Sequence, residues 1–287
     1  MLGLLGDEWN LLITQQSLMG ASRYNHFMTR LPISNSVLSR RLRTLTDEGL
    51  LSRSDGQYLP TARSRSLWPL LVSVWEWERT WVAAHREHLP AMRHHSCGQL
   101  FSPLTRCSAC GAEAGDADVE ITLGPSGQWS RSTPVASTRR RSDSDVTTRE
   151  AGLFPETMAV LGNRWAAAIL VAAFLQTSRF TDFQNQLGVP PSLLAERLQR
   201  FCAIGVVTTT EEMTYLLTDK GRAFGGVLVA ALGWAQRWFI APEGPAVVLR
   251  HRNCGQTFTA ELACDRCGER LTGAQVEVTH PAEVGIP

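Results

Sequence analysis

The feature of this 287-residue sequence that most constrains its fold is an internal repeat. A shift of 156 residues aligns identical residues in the first part of each copy: Gly6 with Gly162, Trp9 with Trp165, Arg23 with Arg179, Phe27 with Phe183, Leu38 with Leu194, Leu42 with Leu198 and Gly49 with Gly205. One extra residue in the second copy then changes the shift to 157, which aligns Tyr58 with Tyr215, Thr61 with Thr218, Arg65 with Arg222, Trp77 with Trp234 and Trp81 with Trp238. Such a duplication predicts that each copy is one folding unit.

A segment of different composition separates the two copies. Residues 124–152 are rich in Ser, Thr, Arg and Pro and contain few residues that a core could bury, so a flexible linker is predicted. Arg139, Arg140 and Arg141 in this segment could contact phosphates, but a solvated charged run is the preferred interpretation. The rest of the chain, with 44% hydrophobic residues overall, is long enough for two cores.

Each copy shows the element order of a winged helix. Helical spacing of apolar residues runs from Leu4 to about Met19 and again from Tyr24 to Leu31. A third helix has the apolar stripe Leu38, Leu42 and Leu45 and ends at Gly49. Asp55-Gly56 predicts a tight hairpin between extended segments 50–53 and 57–61, and a final helix is expected from about Pro69 to His88.

The sequence around these elements resembles a known family. Copy 1 reads LGDEW, SRYNHF and LSRRLRTLTDEGLLSR, and copy 2 reads LGNRWAAAIL, SRFTDFQNQLGVPPSLLAERLQRF and YLLTDKGRAF. These runs, which cover about two-thirds of the chain, resemble the HxlR-type branch of the MarR-like winged helix-turn-helix regulators. The resemblance implies sequence-specific binding of double-stranded DNA. Family members usually carry one copy and bind operators as homodimers, so this chain is expected to pair its copies as a pseudo-dimer or to form a homodimer.

The third helix of copy 1 is the predicted DNA-reading element. With its leucines inward, Ser36, Arg40, Arg43 and Asp47 point outward, and Ser39 and Arg41 lie on the flanks. Arginine can make paired hydrogen bonds to guanine in the major groove, and serine can contact bases or phosphates. The residues predicted to bind DNA are Ser36, Ser39, Arg40, Arg41, Arg43, Arg53, Arg63 and Arg65, with Arg197 and Arg200 in copy 2.

Copy 2 has a different surface at the same positions. The outward residues are Ser192, Glu196, Gln199 and Ala203, and its wing carries Glu211 and Glu212, which phosphate would repel. We therefore expect copy 1 to make most DNA contacts and copy 2 to act as a pseudo-dimer or regulatory partner.

Six of the seven cysteines fall in a repeated pattern. The HxxC and CxxC pairs supply the predicted metal ligands His94, Cys97, Cys107 and Cys110 after copy 1, and His251, Cys254, Cys264 and Cys267 after copy 2. Each set of three thiolates and one imidazole resembles a zinc ribbon and predicts one closed, structural Zn²⁺ site, or two per chain. Buried reduced thiols without metal, or disulfides, are the alternatives. The seventh, Cys202, is interpreted as a small core residue.

The predicted fold is therefore α+β and mainly α. It comprises winged helix-turn-helix copy 1 (1–90), zinc-ribbon-like module 1 (91–123), the linker (124–152), winged helix-turn-helix copy 2 (153–246), zinc-ribbon-like module 2 (247–280) and a tail (281–287).

Other functional classes fit the sequence less well. Gly-rich phosphate loops, a GxSxG elbow and HExxH are missing from the sequence, so an enzyme is not predicted. No run of eighteen apolar residues occurs, and Asp7 and Glu8 interrupt the N-terminal segment, so a cytoplasmic location without membrane contact is expected. The alternative function is a winged-helix interaction adaptor without specific DNA binding. A small-molecule effector is possible under either interpretation, and the sequence does not identify it.

Overall fold

The computed structural model describes residues 2–127, 155–162 and 164–279. Most of the predicted linker, including Arg139–Arg141, lies outside the described residues, as does the tail. Copy 1 contains helices α1 (Leu2–Leu5), α2 (Glu8–Leu18), α3 (Tyr24–Arg30) and α4 (Asn35–Asp47), wing strands β1 (Leu51–Ser54) and β2 (Gln57–Pro60), and helices α5 (Ala62–Arg65) and α6 (Trp68–Trp81). Its ribbon segment supplies β3 (Ala91–His94), β4 (Pro103–Cys107) and β5 (Val119–Leu123).

Copy 2 repeats this order. Its helices are α7 (Pro155–Leu161), α8 (Arg164–Phe174), α9 (Phe180–Leu187) and α10 (Pro191–Ala203), followed by wing strands β6 (Val207–Thr209) and β7 (Tyr215–Leu217) and by α11 (Asp219–Ala223) and α12 (Gly225–Trp238). Its ribbon strands are β8 (Val247–His251), β9 (Ala260–Cys264) and β10 (Val276–Thr279). Both copies are thus winged helices, as the sequence predicts.

Local sequence explains the elements of copy 1. The stripe Leu38, Leu42 and Leu45 is fully buried on α4. Gly49 ends this helix at φ +68°, and the β1–β2 turn at Asp55-Gly56 also has positive φ values of 50° and 71°, as a two-residue hairpin requires. The predicted first helix is divided in two, because the Asp7 side chain accepts a hydrogen bond from the Asn10 amide and starts α2 afresh. The last helix ends at Trp81, earlier than expected.

The two copies pack on each other through their last helices. The Trp77 indole on α6 donates to the Lys220 carbonyl at 3.0 Å, and its counterpart Trp234 on α12 donates to the Arg63 carbonyl at 2.9 Å. Trp77 also meets Phe224 edge to face at 4.9 Å between ring centroids. Because equivalent residues make equivalent contacts, the copies are related by a local two-fold axis, and their cores merge into one hydrophobic cluster. One chain therefore forms a pseudo-dimer.

The ribbon segments exchange strands, and the prediction of two separate ribbon modules is wrong. Strand β3 pairs antiparallel with β10, β4 with β9 and β5 with β8, so each of these sheets takes one strand from each copy. Thr105 lies opposite Leu262, its own equivalent at the shift of 157, which places the local two-fold axis between these residues. The sequence could not show this, because the two similar segments predict the same strands whichever copy supplies the partner.

The described residues contain no single helix long and apolar enough to cross a membrane. One pair of successive helices, Pro155–Leu161 with Trp165–Phe174, passes a length and composition test together but is bent by 80°.

Candidate DNA-binding surface and metal sites

The outward face of α4 presents exposed polar and basic side chains. Ser36, Arg40, Arg43 and Asp47 are exposed, as the helical projection predicts. Within the described part of the chain, the guanidinium groups of Arg40 and Arg43 form no ion pair. Ser39 is exposed too, and its hydroxyl lies 3.2 Å from the Tyr24 hydroxyl, which fixes α3 against α4. On the wing, exposed Arg53 lies over the Tyr58 ring at 5.6 Å.

Three other arginines of the predicted set are engaged within the protein. Arg41 forms an ion pair with Asp7, and its Nε atom is buried. Arg65 is exposed but donates to the Pro60 carbonyl at 2.9 Å. Arg63, also predicted to bind DNA, is half-buried: its Nε and Nη2 atoms are buried and its Nη1 atom donates to the Glu48 carbonyl at 2.7 Å.

Arg63 instead lies among aromatic rings of copy 2. Its guanidinium carbon is 4.4 Å from the ring centroid of Phe239, 5.6 Å from Trp234 and 5.9 Å from Trp238. Lys220, the equivalent residue, lies 5.3 Å from the Trp77 ring and pairs with Glu156. Both cations therefore hold the copies together.

The corresponding surface of copy 2 is poorer in positive charge. Glu196 and Gln199 occupy the exposed positions equivalent to Arg40 and Arg43. Arg197 is largely buried and lies 3.4 Å from Glu196, whereas Arg200 is exposed. The wing residues Glu211 and Glu212 are also exposed.

The eight predicted metal ligands form two groups of four, but not the groups that the sequence suggested. One group, here the His94 group, consists of His94, Cys97, Cys264 and Cys267; the other, the His251 group, consists of Cys107, Cys110, His251 and Cys254. Each HxxC pair thus meets the CxxC pair of the other copy. The predicted grouping within one module is wrong because the exchanged strands carry the two pairs apart.

The distances within both groups fit a tetrahedral zinc site. In the His94 group, Nδ1 of His94 lies 3.6 Å from Cys97 Sγ and 3.4 Å from Cys267 Sγ, and the Sγ atoms of Cys97 and Cys264 are 3.9 Å apart. The His251 group has matching distances of 3.2, 3.4 and 4.0 Å. Zinc bonds of about 2.3 Å to sulfur and 2.0 Å to nitrogen place sulfur atoms about 3.8 Å apart and nitrogen about 3.5 Å from sulfur. Either group could therefore hold a metal ion.

The thiols of each group differ in acidity. A backbone hydrogen bond at Gln99 lowers the pKa of Cys97. At Cys107 burial raises the pKa, but backbone hydrogen bonds at Ala109 and Cys110 and the neighbouring thiols together outweigh burial, so that its pKa is also lowered. The backbone hydrogen bonds of Cys110 and Cys267 favour the thiolate, but burial and the neighbouring thiols together raise the pKa of both. One thiol in each group therefore has a lowered pKa, and a bound cation would favour loss of further thiol protons.

Two further residues, Cys202 and Glu78, lie at or near the shared core. Cys202 is half-buried and packs against the shared core, in line with its interpretation as a small apolar residue. Glu78 gave no sequence signal, yet it is fully buried on α6, where it accepts hydrogen bonds from the Thr157 amide and hydroxyl of copy 2 and lies 2.8 Å from His85. Its equivalent in copy 2 is Ala235, so an alignment of the two copies does not indicate a buried carboxylate at this position.

Two winged helices with a basic exposed third helix define the class of helix-turn-helix proteins that bind DNA. Comparison with known proteins gives the family: the HxlR-like helix-turn-helix model matches residues 4–86 and 160–242. The chain belongs to this family and is a DNA-binding transcriptional regulator.

Individual relatives are of about the length of one copy. Uncharacterized HTH-type transcriptional regulators of Mycobacterium tuberculosis and Mycobacterium bovis are each 32% identical over 125 residues, which is 42% of this chain and 79% of each relative. The uncharacterized HTH-type transcriptional regulator YvaP of Bacillus subtilis is 30% identical over 92 residues, or 30% of this chain and 85% of its own. The crystal structure of PA1607 is 30% identical, covers 48% of this chain and 99% of its own, and has a TM-score of 0.40.

Proposed function

We propose that this regulator contacts double-stranded DNA mainly through copy 1, while copy 2 completes the pseudo-dimer and serves as its regulatory half. The observation that carries the proposal is the charge difference between equivalent positions. Arg40 and Arg43 are exposed on α4, whereas Glu196 and Gln199 stand in their places on α10. Arginine fits the guanine edge and the phosphates, and glutamate is repelled by phosphate.

Matched arginine variants test this assignment. An operator is first obtained by selecting from random duplexes at low ionic strength, and binding is then measured by gel shift. Arg40→Ala with Arg43→Ala should weaken binding by at least tenfold, since each base contact contributes about 1–3 kcal/mol. Arg200→Ala, an exposed arginine of copy 2, is the control and should change affinity far less. Equal losses from both variants would contradict the asymmetry.

We further propose that both metal groups hold Zn²⁺ as structural sites without catalytic function. Three cysteines and one histidine match the donor preference of zinc, and four protein ligands leave no open position for a substrate. The Nδ1 atoms of His94 and His251 lie 3.2–3.6 Å from the cysteine sulfur atoms of their groups, so Nδ1 is the nitrogen offered to the metal. Metal analysis of the purified protein should give two zinc ions per chain.

An interaction adaptor is the second candidate, favoured by the wing of copy 2. Met213 is 68% exposed and Leu216 47% exposed beside Glu211 and Glu212, a surface better suited to a protein than to phosphate. The dependence of DNA binding on salt concentration distinguishes a DNA-binding regulator from an interaction adaptor. Affinity for DNA should fall steeply with ionic strength as counterions are released, and a purified protein that selects no duplex would support the adaptor.

A further inference from the structure

A cavity of about 430 Å³ lies between the ribbon and copy 2. Its walls are the β5–β8 sheet, the ribbon-facing side of α12, and residues of α7 and α8 such as Leu161 and Val171. This volume is within the range of natural small-molecule sites. Neither the predicted DNA-reading residues nor the metal ligands are among the residues that line the cavity.

At the place that the local two-fold axis relates to this cavity, the other half of the molecule carries larger side chains. At four positions around the cavity, the residue on copy 2's side is smaller than its equivalent on the α6 side. The pairs, with the cavity residue first, are Gly225 and Trp68, Leu232 and Trp75, Thr105 and Leu262, and Ala114 and Leu271. All four smaller residues line the cavity. The difference is one of side-chain volume, because both halves have the same strands in the same register.

Two indole rings, those of Trp68 and Trp75, stand on the α6 side where copy 2's side has Gly225 and Leu232. Trp68 packs against Gly273, where an added Cβ would come within 2.9 Å of its ring. Trp75 is buried, lies 6.3 Å from Phe101 between ring centroids and donates to the Pro90 carbonyl at 2.9 Å. On copy 2's side, the Phe174 ring lies 3.2 Å from where a Cβ atom on residue 225 would be. Phe174 thus takes up part of the volume that Trp68 occupies on the α6 side, but the cavity remains.

The lining indicates an uncharged ligand. Of the 27 described residues around the cavity, only Thr105, Asp116 and Arg222 have polar side chains, and Arg222 is already paired with Asp219. Apolar cavities without polar groups to hold water take up apolar molecules. We propose that this cavity binds a small, planar, uncharged aromatic molecule, which occupies the place that Trp68 and Trp75 fill on the opposite side.

Ligand binding by the whole protein tests the proposal without DNA. Saturation-transfer NMR and calorimetry with indole and 2-naphthol as probes should show saturable binding of at least one of them. Ala114→Leu and Leu232→Trp restore the larger residues of the other half, and each should weaken that binding at least tenfold. Ala84→Leu, at an exposed alanine outside the cavity, is the matched control and should bind as the unchanged protein does.

Thermal melting identifies any variant that fails to fold, and two independent filling variants keep the test decisive. Failure of both probes to bind the unchanged protein would overturn the proposal, as would unchanged binding in folded Ala114→Leu and Leu232→Trp. An effect of the probe on operator affinity would rest on the proposed function. It is therefore measured separately, by gel shift with and without probe, so that loss of DNA binding and loss of ligand binding are told apart.

Discussion

At the scale of single residues, burial determines what an arginine can do in this molecule. Arg40 and Arg43 reach solvent, whereas Arg63 lies under three aromatic rings of the other copy. A guanidinium group in such a position stabilises packing through its contact with ring faces and through its hydrogen bond to Glu48. The Arg63 guanidinium group is thus already engaged by contacts within the protein.

This leads to a prediction for Arg63→Ala. The substitution removes the aromatic contacts and leaves the Glu48 carbonyl without its partner, so the free energy of unfolding should fall by about 1–3 kcal/mol. Arg65→Ala, two residues away and exposed, should change it by less than about 1 kcal/mol. Urea denaturation followed by circular dichroism measures both. A larger effect from Arg65 than from Arg63 would contradict the role assigned to the buried residue.

At the scale of elements, the ribbon strands decide which ligands share a metal. The strands β4 and β9 pair across the local axis, and each carries the first cysteine of its CxxC pair, Cys107 or Cys264, at its end. The pairing of β3 with β10 brings His94 opposite Val276, on the CxxC side of the other copy. Metal binding therefore joins ligands that are 141 to 173 residues apart in sequence.

Zinc content of double variants tests the crossed grouping. Cys97→Ser with Cys264→Ser removes two ligands from the His94 group alone, so about one zinc ion per chain should remain. Cys97→Ser with Cys107→Ser damages both groups, and little zinc should remain after dialysis against a competing chelator. Cys202→Ser serves as the control and should keep both ions. The reverse order of the two double variants would restore the grouping within each copy.

The local structure of these elements could be predicted from the sequence, whereas the contacts between the two copies could not. The leucine stripe of α4, Gly49 and Asp55-Gly56 are local signals, and they predict the winged helix because neighbouring residues determine these structures. The eight metal ligands are also local, as HxxC and CxxC pairs. Their grouping is not, since both copies offer the same spacing, and the burial of Arg63 depends on Trp234, 171 residues away.

At the scale of the whole molecule, three pairs of strands, two shared metal groups and the α6–α12 contact connect the copies. A covalent connection is then less important to the assembly than these contacts. Residues 1–127 and 155–287, coexpressed as two polypeptides with a tag on one, should copurify in equal amounts and carry zinc. Recovery of the tagged half alone, as a folded monomer with its own zinc, would contradict the strand exchange.

Acid should promote dissociation of the two coexpressed halves, because protonated thiols and imidazoles release metal.

The meeting of Thr105 with Leu262 has a consequence for how such a protein can change over time. In an assembly of two identical chains, every mutation appears on both sides of the symmetry axis, and a residue on that axis always faces itself. Fusion of the two subunits into one polypeptide removes this constraint. A large side chain can then be replaced on one side of the axis and kept on the other. In this way a cavity can form in one half of the molecule while the equivalent residues of the other half stay large.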